Sequence, residues 1–371
     1  MKAYKIGAIG FAHSHMTSNI RTFAECEGRV EFVAAADVPP RVPSAIDGPG
    51  TRNGDLSDCV REFGFRRYED YKELIRECEL DIALVCCENA YHPFVAEALL
   101  RRGVHVVLEK PFAASMEGAL RIARAAEQGG AEVITNWPST WSPAVRLAKR
   151  LCDEGRIGRL FKLTHRNSES LGPLMYGQKV TDAQKGDEWW HQEDPGGGAL
   201  LDYCCYGACL SSWFIGEKPV SAYGLKANFN SHYGSADDYA NILVRFPQAV
   251  AQLEGSWTTV NGGTANGPIA YGLNGTIVCA RDGKVEVYNT RHTNAPDESI
   301  APPPIEARRN SLGREVIRHF DTGEPLHETL ALPLNLRAMS ILDAGIRSSK
   351  SLRMEPVRDE FWCVGDDGLS G

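Results

Sequence analysis

The sequence predicts a two-domain α/β protein. A doubly wound parallel sheet of Rossmann type comes first, followed by an α+β domain on a mostly antiparallel open sheet. Three observations predict it. Short, almost wholly apolar runs alternate with helical patterns through the first 137 residues, as parallel strands buried on both faces require. After Asn136-Trp137-Pro138 the pattern changes to successive strand-like runs set apart by Gly, Pro or Asn. The chain, at 371 residues, is long for one core and comfortable for two. The expected boundaries are 1–137, 138–356 and a polar, acidic tail over 357–371, from which Phe361 and Trp362 could dock back onto the body.

The elements follow in order. A strand over 3–9 turns at Gly10 into a helix over 15–25, and a second strand over 30–36 stops at Asp37. Residues 39–54 are rich in Pro and Gly and longer than a βα connection needs, so they either border a nucleotide site or form a surface insertion. Helices are expected over 56–63, 71–78, 93–102 and 115–128, with strands over 81–85, 104–108 and 132–135. Gly64, Gly103 and Gly129 stand where left-handed C-caps belong. In the second half, a helix over 143–154 ends at Gly155. Strands are expected over 160–166, 220–227, 239–246, 249–257, 269–273, 275–280 and 284–288, and helices over 199–214 and 334–348.

Bulk properties exclude several classes. A net charge of −8 offers no basic footprint for nucleic acid or an anionic membrane. No apolar stretch approaches the length of a membrane span, and Met1-Lys-Ala-Tyr-Lys-Ile-Gly7 enters a strand directly, leaving no room for a signal peptide. The expected location is therefore cytoplasmic. Eleven cysteines, irregularly spaced and often inside apolar runs, read as reduced, mostly buried thiols. Cys204, Cys205 and Cys209 fit no common zinc spacing, and His13-Ser-His15 has no carboxylate nearby to complete a ligand set, so no metal is expected.

Chemistry concentrates at three places. Glu109-Lys110-Pro111 follows the apolar run Val104-His-Val-Val-Leu108, and ligands of open α/β sheets bind beyond the carboxyl ends of such strands. Pro111 confines Lys110 to an extended backbone and so limits where its ammonium can point. Gly10, Ala12 and His15 occupy the three positions of a G-x-G-x-x-G turn, which makes Gly10, Phe11, Ala12, His13, Ser14 and His15 candidate cofactor contacts. Asp37 can accept the ribose hydroxyls of NAD and repel the 2′-phosphate of NADP; equally, it can open the turn before Pro39-Pro40. Arg41 could reverse the preference, so NADP is not excluded.

The third place is Gly196-Gly-Gly-Ala-Leu-Leu-Asp202-Tyr-Cys-Cys-Tyr206. Asp202 and Tyr206, four apart on a helix, share one face. Hydride transfer at a carbinol needs a group to take and return the hydroxyl proton. A phenol can do so if a neighbouring ammonium favours its phenolate, and Lys110 would supply that. Asp202 would orient the substrate or the lysine. Taken singly, Tyr206 also reads as a half-buried helix tyrosine and Asp202 as a first-turn residue favoured by the helix dipole. Trp137, Trp141, Trp190 and His191 are candidate substrate contacts, because sugar C–H faces stack on indoles; core packing is the other reading of each tryptophan. Arg166 could bind an anionic group.

These motifs, in this order, resemble the glucose–fructose oxidoreductase / inositol dehydrogenase / MocA family. Gly7-Ala-Ile-Gly10, Asp81-Ile-Ala-Leu-Val-Cys-Cys-Glu-Asn89-Ala-Tyr-His92, Glu109-Lys110-Pro111, Gly155-Arg-Ile-Gly158 and the triple glycine with Asp202 carry the resemblance. It implies a bound nicotinamide cofactor and oxidation or reduction of a sugar, polyol or related ring alcohol. The cofactor crevice would be lined by Cys87, Asn89, His92, Glu109, Lys110 and Asn136. Lys110, Asp202 and Tyr206 would be the catalytic set. Many members carry histidine where Tyr206 stands, so the chain looks like the branch of glucose–fructose oxidoreductase and the dimeric dihydrodiol dehydrogenases, in which tyrosine takes the role. A homodimer or homotetramer through the C-terminal sheet is implied. Cys204 replaces a usual glycine and could narrow the site. An NAD-dependent glycosidase using transient sugar oxidation is the alternative reading, and a non-enzymatic nucleotide sensor a third.

Overall fold

A computed structural model of the chain describes residues 3–41, 48, 50–168, 181–260, 265–291 and 294–358. Six strands make the first sheet: β1 (Tyr4–Ile9), β2 (Val30–Ala36), β3 (Arg66–Arg67), β4 (Ile82–Val85), β5 (His105–Leu108) and β6 (Val133–Thr135). Their order is β3-β2-β1-β4-β5-β6, all parallel, with the crossover point between β1 and β4. Helices α1 (His15–Ala24), α2 (Arg52–Phe63), α3 (Tyr71–Glu77), α4 (His92–Leu100) and α5 (Met116–Gly129) cover it. The strand interiors are buried without a break, as in Ile82–Val85, because helices lie on both faces.

The second sheet has nine strands: β7 (Leu160–Ser168), β8 (Ser221–Ala227), β9 (Tyr239–Arg245), β10 (Val250–Ser256), β11 (Ile269–Gly272), β12 (Gly275–Cys279), β13 (Val285–Tyr288), β14 (Glu298–Ile300) and β15 (Glu355–Pro356). Its order is β14-β13-β12-β11-β7-β10-β9-β8-β15; β7 and β10 run parallel and the other neighbours antiparallel. Helices α6 (Pro143–Asp153), α7 (Asp182–Asp187), α8 (Cys205–Ile215), α9 (Leu312–Thr322) and α10 (Leu332–Ser351) complete the chain. One face of this sheet packs on α8 and α10. Gly207 meets Leu253 there, and Gly224 lies against the Gly345 backbone. The other face carries Leu225, Leu243 and Val250, all exposed.

Several local expectations shift. The left-handed cap of α5 is Gly130, not Gly129; Gly129 is helical, and a Cβ there would strike the Leu100 carbonyl. α2 begins at Arg52, four residues early, because Thr51 caps it by accepting from Gly54 N–H. The helix expected over 199–214 is two pieces, a widened π turn (Leu200–Cys204) and then α8. α9 was not foreseen. Its apolar residues Leu312, Val316 and Ile317 join the core around Ile20 and Phe23 of the first domain, and Gly313 touches the Thr22 carbonyl. Val357 already bonds to the Val220 carbonyl, so the body continues into the segment expected as tail; Phe361 and Trp362 lie outside the described residues. Among the described residues ten cysteines are free thiols and none is exposed, and no helix is long and apolar enough to cross a membrane.

Candidate active site

The cleft lies between the carboxyl ends of β1, β4 and β5 and the segment leading into α8. A cavity enclosing about 420 Å³ of empty space, part of it open to solvent, is lined by His13, Cys87, Asn89, Lys110, Trp190, Asp202 and the triple glycine, among others. The glycines bring the two halves together. A Cβ on Gly196 would sit 2.8 Å from Asn89 and Ala114 of the first domain. Asn89 Nδ2 donates to the Gly196 carbonyl at 2.7 Å. Gly198 (φ +104°) lies against the Asp237 carboxylate, whose other oxygen accepts from Leu200 N–H at 2.8 Å and so caps the widened turn. These glycines thus let the backbone approach protein on one side while they line the cavity on the other.

Lys110 reaches across the cleft. Its Nζ donates to Asp202 Oδ1 at 2.6 Å and to the Asp202 carbonyl at 3.1 Å. A π turn shifts backbone bonding by one residue, a deviation common at functional sites, and here the carbonyl it contains serves the lysine. Asp202 Oδ2 accepts from Trp257 Nε1 at 3.3 Å, a partner the sequence reading missed. Its signal was the register of β10, whose odd positions 253 and 255 face α8 and the π turn. Burial pulls the Lys110 ammonium down, but Asp202, then Tyr206 and Cys205, raise its pKa well above the ordinary value, so it stays charged.

Tyr206 lies beneath Lys110, with Nζ 4.9 Å from the ring centroid. The ammonium therefore meets the ring face rather than the hydroxyl. Burial raises the phenol's pKa, and Lys110 only partly opposes it, so the phenol is neutral where a lowered value was expected. Its ring packs edge-on to Trp137 (5.7 Å) and parallel to His165 of β7 (6.3 Å, 20°). Cys204 turns away from the cleft toward the Ala240 and Leu253 carbonyls and does not narrow it.

The first turn is largely satisfied by its own chain. Phe11 N–H donates to Asp37 Oδ1 (2.7 Å), Ala12 N–H to the Cys86 carbonyl (2.9 Å), and Trp189 Nε1 to the Ala12 carbonyl (3.0 Å). Gly10 (φ +87°) abuts the Cys86–Cys87 backbone so closely that any Cβ would clash at 2.7 Å. Ser14 precedes α1 without a side-chain cap. His15 N–H donates to His13 Nδ1 (3.1 Å), and the two rings touch at 3.9 Å. That bond leaves the proton of neutral His13 on Nε2. Burial would raise the Glu109 carboxyl, but His15 Nδ1 at 2.9 Å holds it below its ordinary value.

Asp37 is engaged by Arg52 rather than Arg41. Arg52 gives Asp37 two hydrogen bonds, Nε to Oδ2 (2.8 Å) and Nη2 to Oδ1 (3.1 Å), and Nη1 to Glu88 Oε1 (2.8 Å); Arg41 instead pairs with Asp194. Glu88 is fully buried, its Oε2 has no hydrogen-bond partner among the described residues, and burial raises its pKa against the pull of Arg52. An arginine opening the helix after the Asp37 strand was the signal available for Arg52.

Other expected contacts serve the framework. Asn136 is held on both sides, donating to Asn19 Oδ1 and accepting from Trp141 Nε1, each at 2.9 Å. Trp137 is buried and donates to Asn335 at 2.7 Å. His191 is buried against Tyr233 and Trp257. Arg166 faces the other side of its sheet, where its register partner Glu254 lies 3.9 Å away. His92 is fully buried, with Nε2 3.2 Å from the Cys87 carbonyl and Nδ1 3.4 Å from that of Phe112, so it ties β4 to the loop after β5. No group of metal-ligating side chains occurs among the described residues.

Burial pushes His92, His165 and His327 down to about 4 from 6.5. A depressed folded value contributes stability that is full above the unfolded pKa and lost as pH falls through the folded one. The melting temperature is therefore expected to fall steadily from pH about 6.5 to about 4. Calorimetry across that range checks it, and a flat profile would contradict the neutral assignments.

A nicotinamide cofactor fits this cleft at its redox end. Trp190 lines the cavity and its buried Nε1 has no hydrogen-bond partner among the described residues, so a donor there is left for an acceptor.

Comparison with known proteins agrees with this fold. Residues 46–136 match the model described as "Oxidoreductase family, NAD-binding Rossmann fold", and residues 145–290 the "GFO/IDH/MocA C-terminal domain". The chain is 28% identical over 191 residues to 1,5-anhydro-D-fructose reductase of Ensifer adhaerens, covering 51% of this chain and 54% of that protein. Levoglucosan dehydrogenase of Pseudarthrobacter phenanthrenivorans is 25% identical over 237 residues, 59% of this chain and 60% of its own. The chain thus spans less than two thirds of the length of these relatives. The fold superposes on a Caulobacter crescentus aldose-aldose oxidoreductase with a TM-score of 0.74 at 18% identity, covering 96% of this chain and all of that one (100%).

Proposed function

Because this chain belongs to the GFO/IDH/MocA family of oxidoreductases, with the family's NAD-binding Rossmann domain and C-terminal domain, we propose that it transfers a hydride between NAD and a hydroxyl-bearing carbon of a sugar, polyol or related ring alcohol. The observation that carries the reading is the Lys110–Asp202 pair, closed across the two domains over the face of Tyr206. The cofactor, when bound, takes up or supplies the hydride. Lys110 places a fixed positive charge where the substrate oxygen gains negative charge. Asp202 holds that ammonium in place and Trp257 holds Asp202. Tyr206, kept neutral by burial, is the proton donor when a carbonyl is reduced; the phenolate which that step leaves is the form that takes the proton back in the reverse direction.

The test is a screen of sugars, polyols and glycosides with NAD and NADP, following reduced nicotinamide. Turnover of at least one alcohol supports the reading. Glycoside cleavage without net NADH would move it to the transient-oxidation mechanism, and inactivity toward the whole panel would remove it.

The ribose end bears on cofactor choice. A bare Asp37 would repel a 2′-phosphate, but Arg52 neutralises it, leaving Glu88 as the surplus carboxylate. Arg52→Ala should therefore weaken binding of 2′-phosphorylated adenosine nucleotides by about tenfold or more relative to unphosphorylated ones, the worth of a charge-assisted hydrogen bond. Titration of both nucleotide types into the two proteins checks this; equal losses would show that Arg52 only supports the fold. We place a second copy of the chain on the outer face of the nine-stranded sheet, where Leu225, Leu243 and Val250 are exposed. Mass in solution tests it.

A further inference from the structure

Resting on the oxidoreductase reading, we infer that His165 determines specificity: with Tyr206 it forms a two-point grip for a neutral vicinal diol, the imidazole taking the hydroxyl next to the reacting carbon. His165 sits on the face of β7 that packs against α8, since its register partner Leu253 touches Gly207 of that helix. Its ring lies nearly parallel to Tyr206, 6.3 Å between centroids. Neither polar edge is satisfied. His165 is buried and its Nδ1 is sealed without a partner, while Nε2 and the Tyr206 hydroxyl make no hydrogen bond among the described residues.

Two buried framework side chains show the paired alternative. His92 faces a carbonyl with each nitrogen, and the Trp137 indole meets Asn335. Tyr206 lies under Lys110, and its unpaired hydroxyl with the unpaired His165 imidazole next to it leaves polar atoms for a ligand to meet. The two rings are neighbours, 6.3 Å between centroids, so one ligand can meet both side chains.

The chemistry of the pair narrows the ligand. An imidazole kept neutral by burial offers one donor and one acceptor, as a hydroxyl does, and no charge to a carboxylate or phosphate. The nearby cation, Lys110, is already paired with Asp202, and Arg166 faces away toward Glu254. The grip therefore suits neutral cyclic polyols and aldoses over sugar acids and sugar phosphates.

The test compares the wild type with His165→Phe and His165→Asn on a neutral polyol and on analogues lacking single hydroxyls. Phe keeps the ring stacked on Tyr206 without its nitrogens; Asn restores a donor and an acceptor. The wild type should lose about 10²-fold or more in kcat/KM on the analogue missing the neighbouring hydroxyl, because a site built for a hydroxyl rejects a substrate without it. His165→Phe should show a comparable loss on the parent polyol, mostly in KM, with no further loss on that analogue, and His165→Asn should recover part of it. Equal losses for His165→Phe on parent and analogue would overturn the assignment, as would a wild type that prefers anionic sugars. A wild type that turns over no alcohol at all would sink the oxidoreductase reading and this inference together; the first two outcomes sink the inference alone.

Discussion

Lys110→Met should lower turnover by on the order of 10³, the scale on which removal of one preorganised donor to a developing oxyanion acts. Methionine approximates the stem of lysine but removes the charge. Asp202 Oδ1 then loses its 2.6 Å partner and keeps only the Trp257 bond on the other oxygen. An unpaired carboxylate in the cleft would also repel the substrate's oxygen in the ground state, so kcat/KM should fall further than kcat. Stability should fall by less than the roughly 3–5 kcal/mol typical of breaking a fully buried pair, because the Asp202 side chain remains 20% exposed. Adding Asp202→Asn should restore stability without restoring turnover. Steady-state kinetics and melting of the single and double variants check this, and turnover near wild type in Lys110→Met would remove the lysine from the chemistry.

Tyr206→Phe should cost about 10²–10⁴ in turnover, the usual contribution of a positioned acid or base, while NAD binding stays as it was. Phenylalanine keeps the ring face under Lys110 and the edge contact with Trp137, so the ammonium should not move. What disappears is the hydroxyl, which has no structural partner among the described residues and so little effect on the fold. The rate of carbonyl reduction should also lose any dependence on phenol ionisation. Unchanged turnover in this variant would mean that another group handles the proton. The two variants separate the roles: loss of charge should raise KM as well as lower kcat, and loss of the hydroxyl should act on kcat alone.

The order of elements was legible because it is written in local pattern. Continuous apolar runs such as Ile82–Val85 and Val106–Leu108 can only be strands covered on both faces, and the residues at their carboxyl ends had to border a cleft. Lys110 was singled out in this way, whereas Asp202 and Tyr206 were singled out by their four-residue spacing on one helix face after the triple glycine. α9 was missed because its partner, α1, lies almost 300 residues earlier, as the Thr22–Gly313 hydrogen bond spanning 291 positions shows. The π turn was missed because residues 199–214 carry the composition of an ordinary helix; its start depends on Asp237, on a different strand connection.

Which polar groups remain available to a ligand is a question of pairing, and pairing needs three dimensions. Asp37 looked free until Arg52 closed on it, and Asn136 until Asn19 and Trp141 did. His165 drew no notice as one polar residue in a strand pattern, yet it stands beside Tyr206 with a nitrogen unmet. Residue type and spacing set which elements form and where the cleft must open, because hydrophobic periodicity is a property of neighbours along the chain. The division of side chains into framework and site rests on contacts such as Lys110 with Asp202, 92 positions apart, because a hydrogen bond that satisfies one group removes it from every other use.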